Sequence, residues 1–341
     1  MTIPYPELIF NVDLPQALRK IKRGELLLQF GLFHPGLFLC RYYPSPKNQA
    51  MKKIFMAIMG IALAISCSKK DQWIPNDLGS GTPGGGSGTG GGGTGGGGTN
   101  GLVVARVQNA FGINFSGNWC GPCGASGIPA LYQLNTTHGA KFHGMKIGLN
   151  DPFQIPEGPN MAGTYNVSGI PAYVAGANFL QSASAWTSAV NGIVATTPAN
   201  VKAGVALRRT KVGDSIYVDT KVEFFQAAPA GNYSLAVYLV ENNIAGVSQA
   251  GQSDPNFIHK MVFRGIASPI PTKPMVGNWG AELEASGTAI PQGRTYETKF
   301  AYVAPQSLTP AVNLNNCQAI AVIFETDASG KPTRVLNSGR N

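Results

Sequence analysis

The chain has 341 residues, with 26 Lys and Arg against 17 Asp and Glu, a formal charge of +9 and only 13% charged residues. Residues 1–66 carry eight of the basic side chains and three of the acidic ones, so the rest holds 18 against 14, a net of +4. That balance, without any Lys/Arg-rich run interleaved with aromatics, gives no basis for nucleic-acid binding; sparse charge with abundant Gly, Ser, Thr and Asn suits an exported β-rich protein.

In chain order, Leu26 to Cys40 is apolar but interrupted by Gln29, Gly31, His34 and Pro35, a poor membrane span. Met51-Lys52-Lys53 then opens a secretion signal: two lysines followed by the twelve apolar-patterned residues Ile54 to Ile65. Such a run is shorter than the about 20 residues that cross a bilayer. A signal belongs at an N-terminus, so residues 1–50 are expected to be an untranslated upstream extension and residues 51–66 a signal peptide. It ends in Leu63-Ala64-Ile65-Ser66-Cys67, similar to a lipoprotein signal, with Cys67 as the residue to be lipidated; the leucine lies one position further from the cysteine than usual. Residues 67–101 read as a tether, because Gly79 to Gly101 holds 15 glycines in 23 residues and cannot bury a core. Its root-mean-square span is roughly 25 Å, and roughly 75 Å fully stretched. The expected location is the cell envelope, on an outer membrane facing either the periplasm or the outside, held by a lipid anchor only.

Residues 102–200 alternate strand and helix. Leu102 to Val107 and Ala110 to Phe115 read as strands. A helix starts at Pro122, which suits a first turn, and continues through Ile128, Leu131 and Leu134 to His138-Gly139. Lys141 to Leu149 reads as a strand, Asp151 to Asn166 as a loop rich in Pro and Gly, Ala172 to Ala175 as a short strand and Thr187 to Ala195 as a closing helix.

The chemistry lies in Trp119-Cys120-Gly121-Pro122-Cys123. Two intervening residues let the cysteine backbones close a small disulfide ring. A helix from Pro122 leaves Cys120 beside unpaired amide donors, which favour a thiolate, the attacking form. A structural zinc site normally needs four ligands, and only His138 and His143 lie nearby, so no metal and no cofactor are expected. A disulfide that forms without turning over is the competing reading.

This pentapeptide resembles the active-site motif of the thioredoxin superfamily, and the order of elements around it is similar to that fold. The resemblance implies that Cys120 attacks a partner disulfide and Cys123 resolves the mixed disulfide. It also implies that Pro171, 48 residues beyond Cys123, is cis, that the Ile170 backbone bonds a partner chain, and that Trp119 flanks that chain. One position departs from the pattern: six residues before Cys120, where the family has a buried acid, stands Asn114. An amide cannot accept a proton, and Asp151 is a substitute if its loop folds back.

Residues 201–341 change to two-residue alternation. In Ser215 to Phe224, Ile216, Val218, Val222 and Phe224 share one face while Asp219, Lys221 and Glu223 share the other. About seven such segments with turn signals between them fit an antiparallel β-sandwich. Cys317 precedes an apolar strand and reads as a buried, inert thiol; His259 is a lone histidine on a strand.

The expected fold is therefore an α/β thioredoxin-like domain followed by an all-β antiparallel, Ig-like sandwich. That order, with Gly117-Asn118-Trp119-Cys120-Gly121-Pro122-Cys123 and Gly169-Ile170-Pro171, resembles the Bacteroidota outer-membrane lipoproteins of the twenty-eight-kilodalton type. The implied function is thiol–disulfide exchange with protein thiols and disulfides of the envelope, at catalytic Cys120, Cys123 and Pro171. The alternative is a surface binding lipoprotein whose C-x-x-C is a structural disulfide.

Overall fold

The computed structural model describes residues 101–341 and two short strands upstream, Phe30–Leu32 and Phe38–Cys40. Those two strands pair antiparallel, Phe30 opposite Cys40 and Leu32 opposite Phe38, and belong to a separate unit. The proposed signal peptide, Cys67 and the tether up to Asn100 lie outside the described residues, as do most of residues 1–50.

The C-x-x-C motif is carried by a mixed sheet. Strand β1 (Ala110–Ser116) and strand β2 (Phe142–Gly148) are buried along their whole length and run parallel in register, Ala110 opposite Phe142 and Ser116 opposite Gly148. Burial on both faces explains why β2 alternates poorly in sequence. Gly112 and Gly144 sit opposite each other because a side chain there has no room. A Cβ on Gly112 would lie 2.8 Å from the Phe142 ring, and one on Gly144 would lie 2.5 Å from Leu131. Helix α1 (Ile128–His138) buries Ile128, Leu131 and Leu134, and stops where Gly139 takes a positive φ of 53°. Strand β3 (Ala172–Ala175) runs antiparallel to β1, β4 (Asn178–Leu180) pairs with β3, and α3 (Ala183–Val194) covers them with Trp186 and Val190. Ser182 caps α3, its hydroxyl accepting the Ala185 amide at 3.2 Å.

Two expectations change here. The Pro/Gly-rich stretch read as a loop contains helix α2 (Glu157–Thr164), with Pro156 at its N-cap and Met161 and Ala162 buried. Intrinsic propensity is low there, and tertiary burial of those two residues outweighs it. Leu102 to Val107 forms no strand; Val103 is 84% exposed. Instead Asn337 tethers this segment, its side chain accepting the Asn109 amide and donating to Val107 O.

The edge of β2 is occupied by a strand from the far half of the chain, β8 (Val262–Ile266). It runs parallel to β2 with Val262 opposite Lys146, and the Lys146 amide donates to Met261 O at 2.7 Å. Residues 262–265 are buried, whereas Leu102 to Val107 is half-buried or exposed throughout.

The remaining strands are β5 (Ala203–Val212), β6 (Ser215–Phe224), β7 (Ala228–Glu241), β9 (Ser268–Ile270), β10 (Ala281–Glu282), β11 (Thr288–Ile290), β12 (Thr295–Val303), β13 (Cys317–Thr326) and β14 (Pro332–Arg340). They form a four-stranded antiparallel sheet, β9-β12-β6-β5, facing part of a ten-stranded mixed sheet of order β14-β13-β7-β8-β2-β1-β3-β4, with β10 and β11 also on β7. The predicted alternation in β6 is observed residue for residue. Strand β7 is buried on both faces. Leu235, Val237 and Leu239 pack with Ile216, Val218 and Ile323 between the two sheets. Ala236, Tyr238 and Val240 pack with Phe111, Ile113, Phe115 and Met145 from the motif-bearing half. The segments on either side of residue 200, expected as separate domains over 102–200 and 201–341, thus share one sheet and one core cluster.

Candidate functional site

Cys120 and Cys123 form a disulfide with Cα atoms 5.2 Å apart. The Cys123 amide points at Cys120 Sγ at 3.1 Å, and the Gly124 amide donates to Cys120 O at 3.2 Å, so the ring closes on the first turn of a helix. The helical path begins at Gly121, passes through a single wide turn at Cys123–Gly127 and continues into α1. Cys123 is fully buried and Cys120 is 4% exposed.

The Ile170-Pro171 peptide is cis, as the resemblance implied. Cys120 Sγ lies 3.7 Å from Ile170 O, and a Cβ on Gly127 would fall 2.8 Å from Pro171 Cβ, so the helix start and the proline loop are in contact. Trp119 is 57% exposed beside them, its indole N–H donating to Leu149 O at 3.1 Å. The structure therefore brings together Trp119, Cys120, Cys123, Ile170 and Pro171. Cys67 lies outside the described residues.

Asn114 is fully buried between Lys146 of β2 and Tyr173 of β3, and neither Oδ1 nor Nδ2 has a hydrogen-bond partner. Its Nδ2 is 3.4 Å from the position of a Cβ on Gly127, which puts it under the turn that follows Cys123. The loop after β2 does fold back. Asp151 accepts the Asn118 amide at 3.0 Å and the Phe153 amide at 2.9 Å. Burial raises its pKa, against Lys146 and these amides. Both carboxylate oxygens are thus engaged in shaping the loop that leads into the motif.

The two histidines weighed as metal ligands are occupied elsewhere. His138 Nε2 meets Asn191 Oδ1 at 2.8 Å. His143 lies between Ala140 O at 3.0 Å and Ser338 Oγ at 2.8 Å. Cys317 is a buried free thiol whose pKa burial pushes up to about 12, with Glu241 adding to the shift.

Sequence reasoning missed a buried group beneath the motif. Lys146 is fully buried on β2, with Nζ 2.9 Å from His259 Nδ1 and 4.4 Å from the centre of the Phe153 ring. Burial lowers its pKa to about 8, with Asp151 opposing the shift. A lysine inside an apolar strand was the available signal, but its partner is 113 residues away. A carbonyl can only accept, so His259 donates Nε2–H to Val247 O at 3.0 Å and Nδ1 is the acceptor for Lys146.

These tautomers have a consequence for pH. Burial, then the Lys146 charge, lowers the pKa of His259 to about 4; burial, then Arg340, lowers that of His143 to about 3. Between those values and the unfolded value near 6.5 the unfolded chain binds protons that the folded chain refuses. The stability the two histidines contribute is therefore complete above about pH 6.5 and falls as the pH drops toward 4, by at most about 1.4 kcal/mol per pH unit for each histidine. Urea melts across pH 4–8 check this, and His259→Gln flattens the slope.

No family model and no curated protein matches the sequence. Among solved structures, HBP35 of Porphyromonas gingivalis is similar over 70% of this chain and 76% of its own, at 16% identity and a TM-score of 0.52, which shows a shared fold. A protein from Agrobacterium tumefaciens aligns over 69% of this chain and 94% of its own, at 11% identity and a TM-score of 0.44. A domain of the outer membrane lipoprotein Omp28 from Porphyromonas gingivalis aligns over 41% of this chain and 87% of its own, at 13% identity and a TM-score of 0.23.

Proposed function

We propose that this chain is a thiol–disulfide exchange protein of the bacterial envelope, anchored through Cys67, in which residues 102–200 together with β8 make a thioredoxin-like unit. The carrying observation is the Cys120–Cys123 disulfide at a helix start, with Cys120 Sγ 3.7 Å from Ile170 O beside the cis Ile170-Pro171 peptide. The element order strand, helix, strand, helix, two strands, helix supports the same reading. So does the shared fold with HBP35 of Porphyromonas gingivalis. Membership among the Bacteroidota outer-membrane lipoproteins rests on the signal, the tether and the domain order; among the described residues no helix is long and apolar enough to cross a membrane.

In the proposed reaction a partner thiolate attacks Cys120 Sγ, the Cys120–Cys123 bond breaks, and Cys123 leaves as a thiolate and takes a proton. The partner's second thiolate then attacks the mixed disulfide, releasing Cys120 and leaving the partner oxidised. In reverse, Cys123 must lose its proton, and Asn114 cannot accept it, so that proton passes to water. The Ile170 backbone and Trp119 supply main-chain bonds and an exposed ring for the partner chain.

Cys123→Ser tests this reading. Left without its resolving partner, Cys120 is expected to accumulate mixed disulfides that a reductant releases, while Cys120→Ser/Cys123→Ser accumulates none. The second reading, a binding lipoprotein braced by an inert disulfide, is favoured by the near-complete burial of Cys120 and by Asn114. It prevails if no partner is trapped and the wild-type disulfide fails to equilibrate with dithiols.

A further inference from the structure

The segment between β7 and β8 comes from the C-terminal half yet lies on the redox motif. Ala250 donates its amide to Asn118 O at 2.7 Å. Gln249, 5% exposed, places Nε2 3.1 Å from Gly117 O and 3.4 Å from the carbonyls of Asn118 and Cys120. Gln252 donates to Gly124 O. The approach is main chain to main chain. A Cβ on Gly124 would fall 2.0 Å from Ala250 O, and one on Gly251, where φ is +82°, would fall 2.1 Å from Gly121 O. Side chains at those two positions would force the strap off the motif.

The strap is itself anchored. Ile244 and His259 exchange main-chain bonds of 3.1 and 2.9 Å, His259 holds Val247 O, and Lys146 fixes His259 from beneath. The turn carrying the disulfide thus touches two outside segments: Pro171 at Gly127, and the strap at Gly121 and Gly124.

We propose that Gln249, assisted by Gln252, is a positioning residue for the Cys120–Cys123 couple, and that the strap stabilises the disulfide form by holding the motif's backbone where the two sulfurs meet. The inference rests on the exchange reading above. The two hydrogens of Gln249 Nε2, shared among the carbonyls of Gly117, Asn118, Cys120 and, at 3.2 Å, Ala250, together with the Ala250 amide on Asn118 O, order the backbone that must bend to close the ring, which raises the effective concentration of one thiol at the other. Contacts that differ in strength between the two redox states shift the redox equilibrium, and by linkage the redox state must change how firmly the strap is held.

The test equilibrates the full chain with glutathione and reads thiols by alkylation mass shift. Two glutathione thiols give up two electrons and two protons, becoming one glutathione disulfide while Cys120 and Cys123 become thiols. Gln249→Met keeps the volume and removes the donors. It is expected to lower the equilibrium constant for disulfide formation about three- to ten-fold, the value of about one net hydrogen bond. Gln252→Met, at a half-buried site, is expected to lower it less, and carries the same test if Gln249→Met does not fold. Hydrogen exchange at the Ala250 amide is expected to speed up at least three-fold once the wild-type disulfide is reduced by a phosphine. An unchanged constant in both variants, with oxidised and reduced forms destabilised equally, overturns the proposal and leaves the strap a structural brace. Equal Ala250 protection in both redox states also overturns it. A wild-type protein that never equilibrates with glutathione sinks the exchange reading, while the Ala250 comparison still decides on the strap.

Discussion

Residues 102–200 produced without residues 201–341 are expected to show no cooperative unfolding transition. The truncation removes β8 from the edge of β2 and strips one face of the motif-bearing strands. Phe111 stacks on Tyr238 at 5.7 Å and meets Phe324 edge-on at 6.0 Å, and Tyr165 meets Trp279 at 5.7 Å; all three partners lie beyond residue 200. Removing one buried aromatic partner costs about 3–5 kcal/mol, so losing three is comparable to the whole of the about 5–15 kcal/mol that holds a domain folded. Far-UV circular dichroism and dye binding on the fragment beside the full chain check this. A fragment with its own sharp melt would show that residues 102–200 are self-sufficient and that β8 is an accessory.

Replacing Arg264 with Met is expected to destabilise the chain by about 3–5 kcal/mol, and the double replacement Arg264→Met/Glu241→Leu by much less. Arg264, on β8, is 1% exposed and Glu241, at the end of β7, is 3% exposed; their side chains meet at Nε–Oε2 3.1 Å. Glu241 also accepts the Asn313 amide at 2.8 Å, Arg264 also donates to Pro310 O, and Tyr302 donates to Arg264 O at 2.7 Å. Removing the guanidinium alone leaves a carboxylate in a site that has already pushed its pKa upward by burial. Removing both leaves only packing to repair. Urea melts in a double-mutant cycle measure the difference, and equal losses for single and double would place the cost in packing rather than in the stranded charge. Because β8 also lines β2, the single variant is expected to make the Cys120–Cys123 disulfide more accessible to reductant.

How much of this was legible in the sequence depends on the range of the interactions. The alternation of Ile216, Val218, Val222 and Phe224 placed β6 correctly, since a two-residue period is a local property of an extended chain with one buried face. Helix α1 was readable from Pro122 and from the spacing of Ile128, Leu131 and Leu134. The C-x-x-C announced a disulfide, and the cis Ile170-Pro171 step was found because it follows the motif in a recognisable order. Helix α2 was hidden, because Gly158, Pro159 and Gly163 argue against a helix until Met161 and Ala162 find a core to enter.

The sequence by itself determined a C-x-x-C on a helix start, the alternating strands of the second half, and an amide where an acid is usual. Tertiary structure decided the rest. Leu102 to Val107 and Val262–Ile266 are both short, apolar and interrupted by one arginine, and the one that lines β2 is the one whose arginine, Arg264, meets a buried partner in Glu241. Lys146 met His259, and Gln249 met Gly117, across 113 and 132 residues, contacts for which no local pattern exists. Periodicity and capping act over a few residues and are written into neighbours. Which strand closes a sheet, and which loop comes to rest on a disulfide, is settled by the burial of distant groups against one another.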